Sequence, residues 1–274
     1  MNAAELERIR RSYYPRYWPL RDHLERSWRR AREQVLGVDL SIFDKTIRYY
    51  RESRGETVTR RQALARALDK KRHKLQWFET DRETEEAIRH FYQEVDVYPF
   101  RQPYLWRFGG YRWIMRLVEH VPSPSLLEYG CGSAVLTEYL ADRFSQAQFT
   151  VADIPSVALD FVAWKKRTYR YPYTILTVGP GKEGIPLREA YDLIFCRDVL
   201  EHTLNPLEIV QSFLDHLSPG GVLVINFLKS CKGENLQTAF EQREPVKELL
   251  QRELIPVKAI DDDDAKDGLY VRDN

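Results

Sequence analysis

Leu126-Leu127-Glu128-Tyr129-Gly130-Cys131-Gly132-Ser133-Ala134 is the stretch that decides the fold. A short apolar run ends in an acid, two glycines one residue apart follow, and a segment of helical character begins at once. Gly130 and Gly132 remove Cβ atoms where the main chain must bend sharply and lie against a ligand. A second apolar run, Gln148–Ala152, leads into Asp153, at the spacing where a carboxylate accepts hydrogen bonds from ribose hydroxyls. Strand, tight turn and helix N-terminus form the arrangement by which an α/β protein holds an adenosine-containing ligand at the carboxyl edge of its sheet. A dinucleotide fingerprint would continue G-x-G-x-x-G/A, but its sixth position here is Val135, which argues against a nicotinamide dinucleotide. With no phosphate to hold, the turn suits an amino-acid or ribose moiety.

Downstream, strand and helix alternate. The pattern predicts a strand at 126–129, a helix at 134–144, a strand at 148–152 and a helix at 156–167 opening after Pro155. It continues with strands at 174–178 and 192–196 and a helix at 206–217 that ends in Ser218-Pro219-Gly220-Gly221. A strand at 222–227, a helix at 245–253 and strands at 255–260 and 269–272 around the acidic turn Asp261–Asp264 complete it. The runs are continuously apolar rather than alternating, so both sheet faces are buried and the sheet is parallel with helices on each side. Its last two strands, joined by a short turn, form an antiparallel hairpin. The first 120 residues read differently. Ala63, Leu64, Ala67 and Leu68, then Ala87, Ile88 and Phe91, recur at helical spacing, and prolines 15, 19, 99 and 103 punctuate the segment. Val121-Pro122-Ser123-Pro124-Ser125 reads as an extended linker, giving two regions, a helical 1–120 and a sheet domain 121–274.

A chain of 274 residues with 43% hydrophobic and 30% charged residues has material for a full core. No stretch approaches the ~18 apolar residues of a membrane span, and the N-terminal residues carry no apolar signal-peptide core. Cys131, Cys196 and Cys231 are widely spaced and odd in number; they read as free thiols of a reducing, cytoplasmic protein. The net charge of +1 conceals an asymmetry: residues 1–120 carry 26 Lys/Arg against 18 Asp/Glu, and residues 121–274 carry 16 against 23. Arg60-Arg61 and Lys70-Lys71-Arg72-His73-Lys74 lie in the basic part. They suit either a nucleic acid or other anionic partner, or a solvated face of a basic region packed on an acidic one.

Taken together, E-Y-G-C-G-S-A (128–134), V-A-D-I (151–154), Y-D-L-I-F-C-R-D-V-L-E-H-T-L-N-P (191–206) and L-S-P-G-G-V-L-V-I-N (217–226) resemble the class I S-adenosylmethionine-dependent methyltransferases. The subgroup resembled is the one with quinone, sugar and small-molecule methyltransferases. The resemblance spans about residues 121–274 and touches none of the first 100. It implies a Rossmann-like sheet and S-adenosyl-L-methionine as cofactor. It also implies that Glu128, Gly130, Cys131 and Gly132 line the methionine end, with Asp153 on the ribose, Ile154 beside the adenine and Arg197 in the cofactor's neighbourhood. One departure is that Ala134 stands where the family's third glycine is usual.

Methyl transfer from a sulfonium is an in-line displacement, so the protein's main task is alignment. The segment Arg197-Asp198-Val199-Leu200-Glu201-His202 follows the fourth predicted strand, where the family presents residues to the methyl. For a hydroxyl acceptor, His202 is the candidate base, with an unperturbed pKa of about 6.5, and Asp198 its neighbour at the acceptor. Packing of His202 in the following turn is the alternative. Asp198, Glu201 and His202 share one helical face at i, i+3 and i+4 and repeat a spacing similar to a divalent-metal site of ubiquinone-type O-methyltransferases. The expectation is nonetheless no metal. The aromatic-rich 98–110 reads as a lid over a small-molecule substrate or as ordinary cap packing. Asp261–Asp264 lacks the spaced ligands and glycine of a calcium loop. The preferred reading is a methyltransferase acting on a small molecule, on oxygen. A nucleic-acid enzyme and a non-catalytic partner subunit are the alternatives.

Overall fold

The computed structural model describes residues 37–106, 112–119, 124–179, 187, 189–227, 235–260 and 267–273. Among the described residues six α-helices come first: α1 (Asp44–Ser53), α2 (Arg60–Leu68), α3 (Lys70–Glu79), α4 (Glu85–Glu94), α5 (Tyr98–Trp106) and α6 (Arg112–Glu119). Two of these starts follow from capping chemistry. Thr59 and Gln62 form a reciprocal capping box on α2, and the Thr84 hydroxyl accepts the Ala87 N–H on α4. Pro103 lies inside α5 and has no N–H to give the carbonyl four residues back. That carbonyl, of Pro99, instead accepts the Thr46 hydroxyl of α1 at 2.8 Å, which ties the two helices together.

The rest of the chain alternates β1 (Ser125–Tyr129), α7 (Val135–Ala141), β2 (Gln148–Asp153), α8 (Val157–Tyr169), β3 (Tyr173–Thr177) and β4 (Tyr191–Cys196). Then come α9 (Pro206–His216), β5 (Leu217–Ile225), α10 (Gln237–Glu253), β6 (Ile255–Lys258) and β7 (Gly268–Val271). The seven strands form one sheet in the order β3-β2-β1-β4-β5-β7-β6. β1 to β5 run parallel, while β7 is antiparallel to both β5 and β6, so the sheet closes with the expected antiparallel hairpin. Strand order reverses direction between β1 and β4, and the carboxyl ends of β1, β2, β4 and β5 meet on one edge. In open parallel sheets that edge is where ligands bind.

Both sheet faces are buried, as the continuous apolar runs require. Leu127, Tyr129, Ile194 and Leu223 face α9, α10 and Trp77, Ile88 and Phe91 of α3 and α4. Leu126, Leu193, Phe195 and Val224 face α6 and α7 through Ile114, Leu117, Leu136 and Leu140. A third cluster joins Phe43, Tyr49 and Tyr50, Ala63 and Ala67 of the N-terminal region to Phe100 of α5 and to Val157, Phe161 and Trp164 of α8. The N-terminal helices therefore share apolar cores with the sheet's helices on both sides.

Most boundaries shift by a few residues from the sequence expectation, and two differences are larger in kind. α10 starts at Gln237, eight residues before Pro245, which lies inside it. Proline fits a first helical turn, but here the ring is carried mid-helix. Ser218-Pro219-Gly220-Gly221 is not a free loop: it is looped out within β5, where the register with β4 shifts between Tyr191 and Leu193. Gly220, at φ 71°, turns there, and its N–H reaches the Arg272 carbonyl at 3.2 Å. Residues 121–123 of the linker, the Asp261–Asp264 turn, Cys231, Pro15, Pro19 and Arg107–Gly110 lie outside the described residues, as do the side chains of Lys70, Lys71, Arg72 and His73. Among the described residues no helix is long and apolar enough to cross a membrane.

Candidate active site at the carboxyl edge

The turn after β1 is fastened to β2. Gly130 and Cys131 both donate their N–H to the Ala152 carbonyl, at 2.8 and 3.1 Å. Gly130 has φ 69° and Gly132 φ 52°, the left-handed region that glycine enters without strain. A Cβ on Gly130 would collide with Val199, and one on Gly132 with the Gln102 carboxamide. Asp153 closes the constellation: its Oδ2 accepts the Gly132 N–H at 2.5 Å and its Oδ1 the Ile154 N–H at 2.8 Å. Burial raises the Asp153 pKa to about 6, with the two N–H bonds pulling the other way.

Glu128, one residue from the end of β1, points into the first turn of α7. Its Oε2 accepts both the Thr137 N–H at 3.0 Å and the Thr137 hydroxyl at 2.5 Å, so this acid satisfies donors at a helix N-terminus. Burial still lifts it to about 7. Ala134 enters α7 at φ 48°, ψ 37°, a left-handed conformation for a residue with a side chain. The departure at this position is therefore one of backbone torsion more than of bulk, at a cost of roughly 1–2 kcal/mol.

Ser133 is gripped from two directions. Its carbonyl accepts the Lys165 ammonium of α8 at 2.6 Å, and its N–H is held by the Gln102 Oε1 of α5. Lys165, 2% exposed, also pairs with Glu138, which in turn pairs with Lys45 of α1 at 2.9 Å. Lys45 donates to the Tyr171 hydroxyl at 2.5 Å. Burial pulls the Lys165 pKa down and Glu138 opposes it.

The segment after β4 lies beside this turn, with Val199 filling the space above Gly130. Asp198, at φ 57°, is clasped by Asn226 at the end of β5: its N–H donates to Asn226 Oδ1 at 2.6 Å, and Asn226 Nδ2 donates to its Oδ1 at 2.8 Å. Arg197 pairs with Asp267 at 2.6 Å and stacks over Trp106, 5.0 Å from the ring centre, so its partner is neither Asp198 nor Glu201. Glu201 is 2% exposed, and its Oε2 is buried with no hydrogen-bond partner. Burial and the neighbouring Asp198 carboxylate push it up to about 8. His202 meets the edge of Trp77 of α3 at 5.4 Å and 89°, a packing contact. Among the described residues no three acidic, histidine or cysteine side chains converge as a metal site, and Asp198, Glu201 and His202 do not form one.

Gly130, Gly132, Asp153 and Ile154 thus come together around the β1–β2 turn, Glu128 is fastened beside it to Thr137, and Arg197, Asp198 and His202 follow the adjoining strand end. Cys131 joins through its N–H, while its thiol is buried in the core. Cys196, paired in register with Tyr129, is buried too. Burial pushes both thiols up. Sequence reasoning missed Thr137, Lys165, Gln102 and Asn226. Only Asn226 left a signal, an amide closing an otherwise apolar strand.

Residues 100–253 match the family described as Methyltransferase domain. A malonyl-[acyl-carrier protein] O-methyltransferase of Bacillus anthracis is 25% identical over 45% of this chain and 45% of its own length. A ubiquinone biosynthesis O-methyltransferase of Actinobacillus pleuropneumoniae serotype 7 is 34% identical over 36% of this chain and 43% of its own. The matched stretch spans less than half the length of these curated relatives. Among solved structures, N-methyltransferase NodS from Bradyrhizobium japonicum WM9 is similar with a TM-score of 0.46 and 19% identity, over 70% of this chain and all of that one. With the family match running from α5 to the end of α10, the chain belongs to the methyltransferase domain family.

Proposed function

We propose that the protein is an S-adenosyl-L-methionine-dependent methyltransferase that methylates a small-molecule acceptor on oxygen. One observation carries the cofactor assignment. The Asp153 carboxylate ends β2 against the glycine turn with one backbone donor on each oxygen. An ionised carboxylate has about four acceptor sites, so two remain for vicinal ribose hydroxyls. The residues present fit the cofactor. Glu128, Gly130, Cys131 and Gly132 would border its methionine end, Asp153 its ribose and Ile154 its adenine, with Arg197 nearby. When bound, the cofactor supplies a sulfonium-borne methyl carbon open to in-line displacement.

This chain's own contribution is alignment and proton handling. Asn226 fixes Asp198 at the acceptor side, and His202 stands to take the proton of an acceptor hydroxyl. The O-methyltransferases among the relatives favour oxygen. The helical region 1–120 would act as a substrate cap on the 121–274 domain, with Trp77, Tyr92 and Tyr98 as aromatic walls, and the buried free thiols suit a reducing cytoplasm. A nucleic-acid substrate draws less support, because basic residues of the cap pair with acids of the same chain: Arg60 with Asp44, Arg66 with Glu56, Arg48 with Glu52.

Calorimetric titration of S-adenosylmethionine and S-adenosylhomocysteine into wild type and Asp153→Ala tests the reading. Micromolar binding to wild type that is lost or much weakened in Asp153→Ala is the expected result. No binding of either compound to folded wild type would overturn it.

A further inference from the structure

We infer that Gln102 is a latch through which helix α5 closes the glycine turn, and that the amino-acid end of the cofactor must displace it to bind. The inference rests on the cofactor reading above and goes beyond it by assigning the turn a resident occupant. Glycine at position 132 opens a hollow over the main chain, and such hollows serve close approach by a ligand. Here the hollow is filled by the chain itself: the Gln102 carboxamide occupies the place a Cβ would take. The same carboxamide accepts the Ser133 N–H, a donor that would otherwise be open to a ligand.

The two grips on Ser133 differ in kind. Lys165 is buried, paired with Glu138, and holds the carbonyl from within the protein. Gln102 is partly exposed and holds the N–H from a cap helix. Tyr98, Gln102 and Trp106 recur at i, i+4 and i+8, a single stripe of α5. Tyr98 stacks on Tyr92 of α4 at 5.8 Å, and Trp106 lies under Arg197 after β4. Phe100, on another face, packs against Tyr50 at 4.7 Å and anchors the helix in the cap core. Movement of the Gln102 side chain alone frees both the hollow and the donor, without unpacking α5.

A neutral hydrogen bond that must be broken for binding contributes about threefold to tenfold to the equilibrium. Gln102→Ala removes it, and Gln102→Asn shortens the side chain so that its amide no longer reaches Ser133. Each variant is titrated with S-adenosylhomocysteine by calorimetry, and hydrogen exchange is followed in the ligand-free protein over residues 130–136. The expected result is about threefold to tenfold tighter binding in both variants, with faster exchange in that segment. A role limited to supporting the turn would weaken binding instead. Wild type that binds while the variants bind equally or more weakly overturns the latch and leaves the cofactor reading standing. Unchanged exchange also overturns the latch. Wild type that fails to bind overturns the cofactor reading, and the latch falls with it.

Discussion

The two halves of the carboxyl edge use buried acids in opposite ways. At the β1–β2 turn, Glu128 and Asp153 each receive two donors, Asp153 from the main chain of the turn and of Ile154, Glu128 from Thr137 in the first turn of α7. After β4, Glu201 is more deeply buried, its Oε2 has no partner, and Asp198 crowds it with like charge. Burial raises all three, to about 6 at Asp153 and about 7 at Glu128, where two donors oppose the rise, and to about 8 at Glu201, where the Asp198 carboxylate adds to it.

The largest effect should come from the satisfied half. Lys165→Met strips Glu138 of its buried partner and leaves the Ser133 carbonyl without its donor, at a cost of about 3–5 kcal/mol. Urea unfolding measures it, and a recovery with Glu138→Gln added would show that the penalty is the abandoned charge. Asp153→Ala leaves the Gly132 and Ile154 N–H groups unsatisfied and should cost about 2–4 kcal/mol by the same assay. Glu201→Gln should cost less than about 1 kcal/mol at pH 6, because the folded protein holds Glu201 protonated there and the amide has nearly its shape. A loss at Glu201 equal to that at Asp153 would erase the distinction between the halves.

Acidity sharpens the comparison. The unfolded chain gives up these carboxyl protons near pH 4, whereas the folded protein keeps them up to about 6, 7 and 8. Between those values the folded state binds more protons, so stability falls as pH rises, by at most about 1.4 kcal/mol per unit for each group. From pH 7 to 8, Glu201 contributes most of the slope, because Glu128 is already half ionised at pH 7 and Asp153 almost fully. Unfolding midpoints across that interval should decline in wild type, and Glu201→Gln should remove that contribution. The smallest effect belongs to Ala134→Gly. Relief of the left-handed torsion is opposed by loss of a buried methyl of about 0.8 kcal/mol, for a net gain of a few tenths to about 1 kcal/mol in thermal unfolding.

What could be read from the sequence was what recurs locally. The apolar runs, the G-x-G turn and the acid after the next strand are set by spacing along one segment, and the sheet order and the Asp153–Gly132 contact agree with them. What could not be read depends on distant pairs or on torsion. Nothing near Lys165 announces that it reaches Ser133, 32 positions earlier, or that Gln102 meets the same residue from the other direction. Ala134 reads as a small intrusion in a string of letters; its strain is visible only as φ 48°. Pro245 reads as a helix start because proline suits one, and no local rule reports the eight helical residues before it.

The buried thiols at Cys131 and Cys196 turn the edge into its own clock. Each sulfur is shielded and held in the unreactive protonated form, so an alkylating reagent reaches it only when the surrounding structure opens. One sits in the turn after β1 and the other at the end of β4, on adjacent strands. In a Cys231→Ser background, their two labelling rates report separately how often each half of the edge breathes. A turn that opens faster than its neighbour would be timed directly, with no ligand and no assay of turnover.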